Sequence, residues 1–143
     1  MSGPVLGLDL GSRRIGLAIS DPETAIAFPA GTLERRGLEK DLAALLALTR
    51  ERGVSRIVLG LPLHLDGRAG RAAEAAQAFA DALREATSLP VDMMDERWTT
   101  VEAERALREA PSGRRRRRKQ VVDAMAATLL LRTYLAREAG ERG

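Results

Sequence analysis

Residues 4–10 and 15–21 form two apolar runs separated only by Gly11-Ser12-Arg13-Arg14. Runs of this length around a short turn-like break predict a β-hairpin. The first run carries one charge, Asp9, among Leu6, Leu8 and Leu10. A carboxylate inside a strand that otherwise reads as buried is expensive unless something compensates it. The positions of equal parity, Val5 and Gly7, are small enough to leave room beside it. Asp9 therefore has two readings. It can be a core acid paired with Arg13 or Arg14, or a ligand for a cation.

The rest of the chain alternates strand and helix patterns. Residues 26–33 predict a third short strand, with Pro22 and Pro29 as punctuation. Leu38, Leu42, Leu45 and Leu46 recur at helical spacing over 38–52, and Gly53 follows as a stop. Residues 56–61, RIVLGL, suit a buried parallel strand. A loop, LHLDGRAG at 63–70, precedes a helix over about 71–86, and 90–94 predict another strand. Thr99 and Glu102 form a capping-box pattern that starts a helix ending near Ala110-Pro111. A final helix is predicted over 119–138. Cationic side chains disfavour a helix's first turn, so residues 112–118 are expected to form a flexible basic loop before it. The order predicts one α/β domain spanning 1–143, with a mixed sheet flanked by helices.

Composition narrows the chemistry. The chain has no cysteine, which excludes thiolate metal sites, cysteine nucleophiles and disulfide scaffolds. No apolar run approaches a membrane span, and MSGPVLGLDL lacks a basic flank before an apolar stretch. These features predict a cytoplasmic protein with no membrane contact. The net charge is +3, but Arg114, Arg115, Arg116, Arg117, Arg118 and Lys119 supply six positive charges in a row, leaving the remainder at −3. A mildly acidic body with one dense basic patch suits a polyanion, most commonly nucleic acid.

Two further acids stand out. Glu96 lies just past the 90–94 strand, and Asp123 lies about one turn into the apolar stretch QVVDAMAATLLL. Taken singly, Glu96 can serve a helix dipole and Asp123 a helix start. Clustered, the three carboxylates would repel one another unless a cation sat among them. Oxygen-only donors, with His64 the one histidine of the chain, point to Mg²⁺ or Mn²⁺ rather than Zn²⁺. Such ions serve phosphodiester hydrolysis.

Four stretches, GLDLGSRRIGLAISD, IVLGLPLHLDG, DERWTTVEA and RRRRRKQVVDAMAATLLLRTYL, occur in the order of the blocks of the YqgF (RuvX) family, which the chain resembles along nearly its whole length. That family is similar in fold to RNase H and to the RuvC Holliday-junction resolvases. The resemblance implies an RNase H-like core with a divalent-metal carboxylate site. By motif, Asp9 matches the first-strand acid, Glu96 the acid of the DER block and Asp123 the last-helix acid. Arg14, Gly16 and Asp21 match the first block, and Gly60, Pro62, Asp66 and Gly67 the second. His64 stands where an Asn-like residue is more usual. Ala126 and Ala127 stand where resolvases often carry a second helix acid, which leaves three ligands.

The resemblance implies a metal-dependent nuclease in 5′-end maturation of pre-16S ribosomal RNA, with structured RNA as its partner. The alternatives are a resolvase acting on branched, four-way DNA, and a nucleic-acid-binding factor in transcription or ribosome assembly with little catalysis. Catalysis and metal binding fall to Asp9, Glu96 and Asp123. Nucleic-acid contact falls to Arg13, Arg14 and the run Arg114 to Lys119. Both a monomer and a homodimer are compatible with the sequence.

Overall fold

A computed structural model describes residues 3–61, 70–95 and 115–142, with backbone alone for 115–123 and 140–142. The strands are β1 (Val5–Leu10), β2 (Arg14–Ser20), β3 (Ala27–Glu34), β4 (Arg56–Leu61) and β5 (Val91–Asp95). The helices are α1 (Leu38–Arg52), α2 (Arg71–Thr87) and α3 (Arg115–Arg142). The strands form one sheet in the order β3-β2-β1-β4-β5. β1–β2 and β2–β3 are antiparallel, whereas β1–β4 and β4–β5 are parallel. The mixed α/β sheet expected from the sequence is the sheet observed. The predicted helix ending near Ala110 and the loop carrying His64, Asp66 and Gly67 lie outside the described residues.

Strand alternation divides the core in two. Leu6 and Leu8 of β1 join Ile15, Leu17, Ile57 and Leu59 under α1 and α2, with Leu45, Phe79 and Leu83 as the helical partners. The opposite face carries Ala18, Val58 and Met94 and is covered by Ala127, Leu130, Leu131 and Tyr134 of α3. Within 124–139, α3 is buried along this one stripe, and Arg132, Thr133, Ala136 and Arg137 are exposed. Over these residues the burial of the helix is confined to one side. A single sheet face can cover only one side of a cylinder.

Local chemistry closes the elements. α1 ends at Gly53, which takes φ 64, and the amide of Val54 donates to the carbonyl of Thr49 at 2.9 Å. Left-handed backbone of this kind favours glycine. β3 is an edge strand that contains Pro29, and its pairing with β2 shifts register at Leu17/Ala18. A proline without an N–H and an irregular register both suit an edge and discourage further strand pairing. Among the described residues no helix is long and apolar enough to cross a membrane.

One boundary departs from expectation. α3 begins at Arg115, not Lys119, so Arg115, Arg116, Arg117 and Arg118 are helical rather than part of a flexible loop. Arginine is among the better helix formers, and elongating an existing helix is cheap relative to nucleating one. The dipole penalty for cations in a first turn is only some tenths of a kcal/mol each and is screened by salt. Propensity and propagation outweigh it.

At the Val5 end of the sheet, α3 is fastened by a triangle of polar groups. The Tyr134 hydroxyl donates to Asp92 Oδ2 at 2.6 Å, and Arg56 Nη1 donates to the Tyr134 oxygen at 2.8 Å. Arg56 also reaches Asp92 Oδ2 at 3.3 Å. Burial, with the bond to Asp92, pushes the Tyr134 phenol from its ordinary 10.0 up to about 12. The folded chain thus holds this proton more tightly than the unfolded chain. The stabilisation is complete below pH 10 and is lost as the pH rises towards about 12. Tyr134→Phe is expected to lower stability in urea by about 1–2 kcal/mol at neutral pH. It should also remove part of the loss of stability that the wild type shows between pH 10 and 12. Unchanged neutral stability would refute the role of the triangle.

Candidate active site

Asp9 sits near the carboxyl end of β1, the middle strand of the sheet. In open α/β sheets this end of parallel strands is where ligands bind. Its pairing partner on β2 is Gly16. On the other side, Leu8 pairs with Leu59, which brings Gly60, the next residue of β4, beside the Asp9 end. Gly16 and Gly60 share the sheet face of Asp9 by strand parity, and neither has a side chain to fill the space around the carboxylate.

Gly7 sets how closely α3 approaches this face. A Cβ at Gly7 would stand 3.0 Å from Leu131 Cβ and 3.3 Å from the carbonyl oxygen of Ala127. The helix therefore lies against the bare backbone of β1. It runs antiparallel to β1, because Tyr134 meets Arg56 while Ala127 lies over Gly7, and Arg56 pairs with Val5. From Gly7 to Asp9 the strand advances about 6.6 Å. From Ala127 back to residue 123 the helix advances about 6 Å in the same direction. These matched steps place the backbone of Asp123 level with Asp9. Glu96 lies outside the described residues; β5, which leads to it, ends at Asp95 opposite Leu61.

The alternative readings of Asp9 separate here. Its carboxylate makes no hydrogen bond or ion pair with any described residue. Arg13 and Arg14 do not neutralise it. Arg13 is exposed at the hairpin turn, at the same end of the sheet as Asp9. Arg14 is buried, and its guanidinium lies 4.0 Å from Glu34. The turn between them is clamped from outside: Arg35 donates from its backbone to the Arg13 carbonyl and from Nη1 to the Gly11 carbonyl. Asp21 is at the far end of β2, where its carboxylate caps the amide of Glu23 at 2.9 Å. Sequence reasoning had no signal for the Tyr134 triangle, whose members Arg56, Asp92 and Tyr134 are far apart in the chain.

Among the described residues no three acidic or histidine side chains converge on one point; Glu96 and the Asp123 side chain are not among them. What the described part offers is an uncompensated carboxylate with small neighbours, below a helix bearing a second acid at matching height. That donor chemistry, all oxygen with no thiolate in the chain, fits a hard divalent cation.

Comparison with known proteins adds to this geometry. The family model described as RuvX, Holliday junction resolvase, matches residues 3–137. The chain belongs to the RuvX family. It is 50% identical over 133 residues to a protein of Moorella thermoacetica named as a candidate pre-16S rRNA nuclease, covering 93% of this chain and 94% of that one. A relative from Syntrophomonas wolfei with the same name is 48% identical over 131 residues, covering 92% of each chain. Among solved structures, Thermus thermophilus RuvC in complex with a Holliday junction is similar in fold, with a TM-score of 0.59, 14% identity and 96% of both chains covered. The fowlpox virus Holliday junction resolvase matches with a TM-score of 0.58 and 13% identity, over 94% of this chain and 99% of that one. At such identities the likeness concerns the fold, and it is the RNase H-like fold expected for this RuvX-family chain.

The close approach at Gly7 is open to a direct check. Gly7→Val forces methyl groups against Leu131 and the Ala127 carbonyl. A loss of about 1–3 kcal/mol in urea unfolding is expected, with faster amide exchange in α3. Wild-type stability and exchange would show that the helix does not depend on this contact.

Proposed function

We propose that this RuvX-family chain is a divalent-metal-dependent nuclease that hydrolyses phosphodiester bonds in structured RNA, at the 5′ end of pre-16S ribosomal RNA. The observation that carries the reading is Asp9: a carboxylate without an ion-pair partner among the described residues, near the carboxyl end of the central strand. Relatives at about half identity over nearly the whole chain, named for pre-16S rRNA, favour this substrate.

In this reading Asp9, Glu96 and Asp123 would hold Mg²⁺ or Mn²⁺ with oxygen donors. When bound, the ion would supply Lewis-acid charge for the hydrolysis of a phosphodiester. The chain's own part is to fix Asp9 and Asp123 on rigid elements, β1 and α3, so that little reorganisation is needed during the reaction. Gly16 and Gly60 put no side chain beside Asp9, where the substrate phosphate would sit, and Gly7 lets α3 settle on β1. Arg13, exposed at the hairpin turn, and the Arg114 to Lys119 run attract the RNA backbone without reading its sequence. Arg14, 4.0 Å from Glu34, links β2 to β3 beside that turn. Hydrolysis forms one bond from water oxygen to phosphorus and breaks the bond to the 3′ oxygen.

A second reading, cleavage of four-way DNA junctions, is favoured by the description of the family and by the fold shared with RuvC. It demands paired cuts on opposing strands and therefore two active sites, as in a symmetric dimer.

One comparison tests these readings together. A 5′-extended pre-16S RNA, a four-way DNA junction and single-stranded RNA are each incubated with Mg²⁺, Mn²⁺ or EDTA. The wild type is expected to cut the pre-16S RNA with a divalent ion and not in EDTA. Asp9→Asn should cut it slower by roughly a hundredfold or more while binding it with similar affinity. Full cleavage by Asp9→Asn would overturn the site. Preferential cutting of the junction would move the substrate to DNA. No cutting with any ion would leave a binding factor.

A further inference from the structure

The helical start of α3 makes the residues of the arginine run unequal. In a loop, six neighbouring cations would be interchangeable. On the helix each of residues 115 to 119 occupies a fixed side. The sheet-facing stripe of α3 is set by Ala127 and Leu131 over Gly7, and by Tyr134 at Arg56. Residue 116 lies eleven positions before Ala127, close to three full turns, and so falls on that same stripe. Residue 118 lies nine positions before Ala127, two and a half turns, on the opposite side. Five turns further along, that opposite side carries Ala136, which is exposed. Arg115, Arg117 and Lys119 fall at the flanks.

α3 runs antiparallel to β1, so its first turns project past the carboxyl end of the strand that carries Asp9. Position 116 is seven residues, or about 10 Å along the helix axis, beyond position 123. It is thus on the stripe that meets the sheet, past the end of the sheet, on the site side of the helix.

We infer that Arg116 is the residue of the run that holds a backbone phosphate of the RNA next to the scissile bond, whereas Arg118 contributes only diffuse attraction. The grip is the guanidinium charge and its fork of donors, not the free amides of the first turn. The inference rests on the nuclease reading above for the place of the scissile bond, and it deepens that reading by naming where the substrate is held.

The test compares Arg116→Gln with Arg118→Gln. Each removes one charge from the same run, so net charge is matched. Affinity for the 5′-extended pre-16S RNA is measured against salt concentration in the Asp9→Asn background, which separates binding from cleavage. Helix content is compared by circular dichroism. Arg116→Gln is expected to weaken binding roughly tenfold and to lower the slope of log affinity against log salt by about one. Arg118→Gln should weaken it no more than about threefold, and Arg116→Lys should recover part of the affinity. Equal losses in the two glutamine variants, or no binding of the RNA by the parent protein, would overturn the inference. Single-turnover cleavage by the wild type is measured in parallel. If the wild type cuts no substrate but the two variants still differ in binding, the nuclease reading fails while the sidedness of the run stands. If the wild type cuts and the variants bind alike, the sidedness fails and the nuclease reading stands.

Discussion

The contact between α3 and the bare backbone of Gly7 is the constraint on which the arrangement of the site depends. A side chain at that position would meet Leu131 and the Ala127 carbonyl at distances tighter than ordinary packing. Its absence lets the last helix settle directly on the central strand. Because strand and helix advance by similar steps in opposite chain directions, settling at Gly7 carries residue 123 to the level of Asp9. The same settling aligns the first turns of α3 with the open end of the sheet. A helix held further away would stand at the same level but clear of Asp9.

The two ends of α3 divide the work. At the Val5 end, Tyr134, Asp92 and Arg56 satisfy one another's polar groups and fasten the helix. At the other end, Asp9 is left uncompensated by any described residue. A half-buried carboxylate without a partner among the described residues is a group of the kind that proteins retain where a charge is needed for binding or catalysis. The second core, under α1 and α2, backs the sheet on the face opposite Asp9.

Much of the fold was legible in the chain because its signals are local. Alternating aliphatic runs marked the strands, and Leu38, Leu42, Leu45 and Leu46 with Gly53 marked α1 to the residue. The start of α3 was not legible. It turned on a balance between arginine's helix propensity and an unfavourable dipole, two effects of similar small size. Arg14 was equally ambiguous. Its type suits phosphate, and only packing shows it buried within reach of Glu34.

The sequence by itself determined the strand and helix inventory, the all-oxygen character of the acids, the basic run and the family to which they belong. These follow from residue type and short-range order, which folding does not alter. Only the tertiary structure decided that Asp9 is not the partner of Arg13 or Arg14. It also decided that residue 123 stands level with Asp9 and that the arginine run has sides. Pairing, height and side are relations between segments far apart in the chain. They are fixed when α3 docks on β1, and no local pattern encodes the distance between them.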